Sequence, residues 1–164
     1  MKVTAETTYI TDPDTVVALR LNPDFLTAMC RRTGAVEQEV SATAQPDGSG
    51  HSLTRRTMPT DDFPDVAKRF VGRTLVLVEE VRWSATSQPG TRSGTYEMRA
   101  EGAPVTYRAD ITIASTPTGS HEVMRGDITA KIPLVGGRIE KAIEPAVRAG
   151  LDAQAEAVQE WLHK

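Results

Sequence analysis

Apolar and polar positions alternate from the beginning of the chain, with Val3, Ala5, Thr7 and Tyr9 set against Lys2, Thr4, Glu6 and Thr8. A period of two predicts a half-buried strand. Thr11-Asp12-Pro13-Asp14 stops it and starts a helix, Asp12 serving as cap and Pro13 as the first helical residue. Val16, Val17, Leu19 and Leu21 form a short apolar turn. Asn22-Pro23-Asp24 repeats the cap-and-proline device ahead of Phe25, Leu26, Met29 and Cys30, and Gly34 closes that second helix. Beyond residue 35 the period returns to two. Val36, Gln38 and Val40 open a strand that turns at Gln45-Pro46-Asp47-Gly48-Ser49-Gly50, and His51 to Met58 returns. Pro59 to Pro64 breaks the pattern and leads into a short helix through Phe70. Four strands follow, over Thr74–Trp83, Gly94–Glu101, Pro104–Ser115 and Ser120–Ile132, joined by turns too short for a crossover helix. Such connections make an antiparallel meander and exclude a parallel, doubly wound sheet.

The last segment has a different period. After Gly136-Gly137, the residues Ile139, Ile143, Val147, Leu151, Val158 and Leu162 recur at helical spacing over roughly 25 residues. A helix of that length with one apolar face needs a partner surface, and the meander is the one available. Pro145 removes one backbone donor within it. The predicted order is one strand, two short helices, six strands and a long terminal helix, an α+β chain of about seven antiparallel strands forming one domain over residues 1–164.

That order resembles the helix-grip fold of the START, polyketide-cyclase and pollen-allergen superfamily, often called SRPBCC. Tyr9-Ile10-Thr11-Asp12-Pro13-Asp14-Thr15-Val16 resembles its strand-to-helix junction. Ile132-Pro133-Leu134-Val135-Gly136-Gly137-Arg138-Ile139-Glu140 is similar to the junction into the final helix in an actinobacterial branch. The resemblance covers nearly the whole chain and implies a curved sheet gripping the long helix. It also implies an apolar cavity between them for a lipid, sterol, polyketide or other small hydrophobic molecule. Alanines and a glycine on the helix (Ala142, Ala146, Ala149, Gly150, Ala153, Ala155, Ala157) allow either close packing on the sheet or such a cavity. The chain is also poor in fillers, with three Phe, three Tyr and two Trp.

Strand parity selects the candidate lining. On the strongest strand Leu75, Leu77, Glu79, Val81 and Trp83 share the more apolar face, which is assigned inward, and Val76, Val78, Glu80 and Arg82 face out. The corresponding inward residues on neighbouring strands are Tyr96 with Met98, Val105 with Tyr107, Ala109, Ile111 and Ile113, and Met124 with Ile128. Phe63 and Phe70 lie in the irregular segment expected over the cavity mouth, and Ile143 and Ala146 on the helix. The candidate ligand-binding set is therefore Leu77, Glu79, Val81, Tyr96, Met98, Tyr107, Ile111, Met124, Phe63, Phe70, Ile143 and Ala146. Glu79 is its odd member. A carboxylate on an apolar face resists ionisation unless a cation pairs with it, and it could orient a ligand hydroxyl or act as acid or base.

Composition narrows the function. Nineteen Lys and Arg against 22 Asp and Glu give a net charge of −3, without the basic excess of a nucleic-acid surface. No run approaches the ~18 apolar residues of a membrane helix, and the first residues lack a signal-peptide core, so a cytoplasmic protein is expected. Cys30 is alone and excludes an intrachain disulfide. His51, His121 and His163 lack ligand spacing, so neither metal nor cofactor is expected. Gly48-Ser49-Gly50 precedes a strand and is a turn rather than a dinucleotide fingerprint. No Walker motif or Gly-x-Ser-x-Gly elbow occurs. Arg31-Arg32 and Arg55-Arg56 could receive an anionic head group but read better as solvated charge. Three functions remain: a carrier of a small hydrophobic ligand, favoured; a polyketide cyclase- or dehydratase-like enzyme using Glu79 or Tyr107; and a protein-interaction module with a filled interior, in which Trp161 and Leu162 could cover a partner.

Overall fold

A computed structural model describes all 164 residues. Strand β1 (Lys2–Tyr9) leads into helices α1 (Pro13–Arg20) and α2 (Pro23–Arg32). Strands β2 (Glu37–Ala44) and β3 (Gly50–Pro59), helix α3 (Asp65–Val71) and strands β4 (Thr74–Trp83), β5 (Thr91–Ala100), β6 (Val105–Thr116) and β7 (Gly119–Ala130) follow, and α4 (Gly136–Leu162) ends the chain. The strands form one antiparallel sheet in the order β1-β7-β6-β5-β4-β3-β2. Its meander is closed off by β1, whose Val3 lies opposite Gly126. This curved sheet and the long helix lying on its concave face make an α+β helix-grip fold.

Both proline-led helix starts form as their residues require. The Asp12 carboxylate accepts from the Thr15 N–H at 2.9 Å, and the Asn22 side chain accepts from the Asp24 and Phe25 N–H groups. Phe25, Leu26 and Met29 then face the core, where Phe25 meets the Trp161 ring edge-on at 5.6 Å. Trp161 thus packs within this molecule. Small differences from the periodicity occur at strand ends. Val36 is 64% exposed and precedes β2, and β5 begins three residues before Gly94. β7 stops at Ala130: the Lys131 N–H still donates to Pro104, its register partner, but proline has no N–H to return the bond.

The inward faces follow strand parity, with one instructive exception. Val78, an outward residue of β4, is 3% exposed. Its register partners are Arg55 and Arg99, and Arg55 reaches over to Glu101 through two hydrogen bonds of 2.9 and 2.8 Å. Long aliphatic stems thus cover an apolar residue while their charged ends stay in water. Two concave-face glycines let the sheet bend tightly. Gly94 lies under the Trp83 ring and Gly126 under the Tyr107 ring, so a side chain at either would strike ring and backbone together.

These contacts predict opposite effects at two glycines. Gly94→Val overpacks the site, costs about 1–3 kcal/mol and lowers Tm. Gly150→Ala, in a helix with open space around it, gains about 0.5–1 kcal/mol and raises Tm by about 1–4 °C. Thermal unfolding of both variants checks the pair of signs.

Candidate functional site

The interior between sheet and α4 is divided. Toward the end where α1 and α2 pack, Leu19, Phe25, Leu26, Met29, Trp83 and Ile113 make a solid core. Toward the end where β3, β5 and β7 finish, a cavity of about 640 Å³ opens between the sheet, α3 and the first half of α4. The small residues of α4 divide the same way. Ala142, Ala146, Ala149, Gly150 and Ala153 border the cavity, while Ala155 and Ala157 are buried in the packed half. The missing side-chain volume therefore allows close approach in one half of the helix and leaves space in the other.

Eight of the expected lining residues come together around this cavity. Leu77, Tyr96, Met98 and Tyr107 form sheet wall, Phe63 and Phe70 approach from the α3 segment, and Ile143 and Ala146 from α4. Four do not border it. Val81, Ile111 and Met124 point inward as parity requires, but α1 and α2 fill the space above their half of the sheet, and they belong to the solid core. Glu79 lies behind Tyr96 and Gln154. With Val81 and Met124 it borders a separate void of about 20 Å³, the room of a single water molecule. Parity specifies which way a side chain points but not how much lies above it.

Glu79 is 4% exposed, and three donors converge on its Oε2. The Tyr96 hydroxyl donates at 2.8 Å, Gln154 Nε2 at 2.9 Å and Arg56 Nη2 at 3.3 Å. Arg56 Nη1 also donates to Thr33 Oγ1 at 3.0 Å, and its Nε is buried without a partner. Strand β3, strand β5 and helix α4 are thereby tied to one oxygen of β4. Arg56, Tyr96, Gln154 and Thr33 all border the cavity, so this cluster forms its polar end. The reading of Arg55-Arg56 as solvated charge is corrected for Arg56, which is 3% exposed. Adjacent strand residues face opposite ways, so one arginine of such a pair must point inward. Arg31-Arg32 divides similarly only in its partners: both are exposed, and Arg32 pairs with Glu156 and Glu160 of α4.

A second buried ion pair escaped sequence reasoning. Arg20 of α1 contacts both oxygens of Glu122 on β7, at 2.9 and 3.0 Å, and donates to the Tyr9 hydroxyl at 2.9 Å. Glu122 shares the inward parity of Met124 and Ile128, which was the available signal. Breaking a buried pair of this kind by removing one partner costs about 3–5 kcal/mol, because the other charge is stranded. The histidines remain apart, His51 beside Glu80 and His121 beside Glu6, and no group of three or more His, Cys, Asp or Glu is arranged to hold a metal ion.

Burial also governs the tyrosines, of which the chain has three. Desolvation pushes Tyr9 up to about 12, the nearby Arg20 opposing the rise and Glu122 adding to it. Desolvation, then the Glu79 charge, drives Tyr96 well above its ordinary value, and burial raises Tyr107. A phenol whose folded-state pKa exceeds its unfolded one contributes stability in full below about pH 10 and loses it as pH climbs toward the folded value. The expected result is that phenolate absorbance rises only together with loss of far-UV circular dichroism above pH 10. Ordinary titration near pH 10 in a folded protein would contradict this burial.

Comparison with known proteins agrees with this architecture. TTHA0849 from Thermus thermophilus superposes with a TM-score of 0.65 at 15% identity, covering 98% of this chain and 95% of that one. Norcoclaurine synthase from Thalictrum flavum gives 0.60 at 16% identity over 100% of this chain and 87% of its own. Ara h 8.0201 gives 0.56 at 11% identity over 96% and 97%. At these identities the likeness is one of fold. No curated protein sequence matches the chain. The model of one family, described as protein of unknown function (DUF2505), matches residues 4–162. On a helix-grip fold that it shares with norcoclaurine synthase and Ara h 8.0201, the chain belongs to the DUF2505 family.

Proposed function

We propose that the 164 residues act as one domain that binds a small hydrophobic molecule of lipid, sterol or polyketide type in the cavity between sheet and α4. The observation that carries this reading is the cavity itself: about 640 Å³, walled chiefly by aliphatic and aromatic side chains, with the hydrogen-bonded cluster of Arg56, Tyr96 and Gln154 at one end. Such a volume lies within the ~300–1,000 Å³ of small-molecule sites. An empty apolar space of that size is costly, at about 24 cal/mol per Å³ in mutational series, and a ligand offsets that cost. Met58 and Met98 in the wall supply adaptable thioether contacts.

The polar end narrows the ligand. Arg56 and Glu79 together are neutral, so a charged head group would enter without a compensating charge. A neutral oxygen, as hydroxyl, ester or ketone, suits the Arg56 N–H groups not taken by Glu79 and Thr33, and a ligand hydroxyl can donate to the Tyr96 oxygen, whose own proton goes to Glu79. An apolar body of roughly 20 heavy atoms at ~0.3 kcal/mol per atom gives ~6 kcal/mol, a Kd of tens of micromolar.

A cyclase- or dehydratase-like reaction is the second reading. The hydroxyl of Tyr96 at the cavity floor, hydrogen-bonded to Glu79, is what favours it. Binding needs no reacting group at all, and carriage of the ligand is therefore preferred.

Native mass spectrometry of gently purified protein, with organic extraction of anything released, tests the reading. A stoichiometric hydrophobic molecule is expected, or uptake of a neutral solvatochromic dye by the empty protein. Ala146→Trp, at an exposed helix position on the cavity, should weaken dye binding at least tenfold while leaving Tm within about 2 °C, because the new ring occupies space rather than displacing core. A protein that binds neither ligand nor dye, or whose dye affinity is indifferent to Ala146→Trp, would sink the proposal.

A further inference from the structure

The junction between β7 and α4 is unusual for a segment beside an apolar cavity. Leu134 is fully exposed, at 103% of its reference area, and is the one non-glycine residue with positive φ, 69°. A leucine in that region of backbone space is uncommon, and nothing in the molecule covers its side chain. Its neighbours Ile132 and Ile139 border the cavity, so the exposed leucine stands at the cavity's rim. Phe70 borders the same cavity from α3 and is 43% exposed.

Cations flank these two apolar residues along the chain. Lys131, Arg138 and Lys141 are exposed around Leu134, and Lys68, Arg69 and Arg73 accompany Phe70. None of the six lies within ion-pair distance of a carboxylate. Elsewhere in the chain eight arginines are paired, and Arg31, Arg99 and Arg125 are not. Carboxylates near the rim on the α4 side are already engaged: Glu140 with the N-terminal amine, and Glu144 with Arg148. Asp61, Asp62 and Asp65 offset the α3 cations, which leaves the excess positive charge around Leu134. A net charge of −3 over the whole chain makes this local excess a polarity of the molecule rather than a general basicity.

We propose that this rim docks on an anionic lipid bilayer, Leu134 entering the headgroup region with Phe70 beside it, while Lys131, Arg138 and Lys141 meet lipid phosphates. An exposed apolar residue flanked in the chain by exposed, unpaired cations matches both components of interfacial binding, apolar burial and attraction to anionic lipid. Docked this way, the cavity opens toward the membrane, and a hydrophobic molecule passes between bilayer and protein without crossing water. That last consequence rests on the ligand-binding reading; the docking itself does not.

Flotation of the full chain with phosphatidylcholine vesicles, with and without phosphatidylglycerol, tests the proposal. Binding is expected only to the anionic vesicles, and is expected to fall as salt rises. Replacing Lys131, Arg138 and Lys141 together by Gln should lower the affinity about a hundredfold, at roughly fivefold per cation. Leu134→Gly should lower it about tenfold or more with Tm unchanged or raised, because glycine accepts positive φ without strain. A loss of binding with intact stability separates docking from misfolding. No flotation, equal flotation with neutral vesicles, or wild-type flotation by Leu134→Gly would overturn the proposal; binding to an acidic protein in place of vesicles would overturn it too. The assay needs no ligand in the cavity. A protein that floats but takes up no dye retains the docking and loses the carrier reading, and one that takes up dye but does not float does the reverse.

Discussion

One buried carboxylate holds the two halves of this fold in relation to each other. Glu79 projects from the middle strands into the space under α4, where an unpaired charge would be prohibitively costly. Its Oε2 is satisfied only if β3 delivers Arg56, β5 delivers Tyr96 and the helix delivers Gln154. Because those donors come from three separate elements, the cluster specifies the register of sheet and helix together, which apolar packing alone does less sharply. It also marks the boundary between filled and open interior. Beyond Gln154 the helix meets β1 through Gln159 and α2 through Glu156, Glu160 and Trp161, and the turns before it stand over the cavity.

The asymmetry has a volumetric cause. At one end, two helices started by Asp12-Pro13 and Asn22-Pro23 cover the sheet with Phe25, Leu26 and Met29, and Trp161 closes the stack. At the other end there is only the short α3, and α4 presents alanine and glycine. Three phenylalanines, three tyrosines and two tryptophans are too few to fill both ends of a seven-stranded sheet. The large side chains are concentrated where the short helices are, and the remaining volume is the cavity. Ion pairs occur at both ends, Arg20 with Glu122 and Arg32 with Glu156 and Glu160 at the closed one, Arg55 with Glu101 and Arg148 with Glu144 toward the open one.

The order of elements, the antiparallel meander and the inward faces were legible in the residues, because strand period, helix period and cap chemistry are local properties that each segment carries alone. The long helix could be recognised for the same reason, as could the isolated Glu79 on an apolar face. What the pattern could not supply was depth. Val81, Ile111 and Met124 obey the same alternation as Tyr96, Met98 and Tyr107, yet only the latter three reach the cavity, since the difference lies in which helix packs overhead. The partners of Glu79 were equally hidden. Arg56 stands 23 residues away and Gln154 stands 75 away, and no spacing rule links them.

The sequence by itself therefore determined the elements, their order and the direction each side chain faces, because these depend on neighbours along the chain. The tertiary structure alone decided where the interior is solid and where it is open. It decided that Arg56 meets Glu79 beneath α4, and that Leu134 stands uncovered. Each of those facts depends on elements that meet only after the sheet has curved and the last helix has been laid across it.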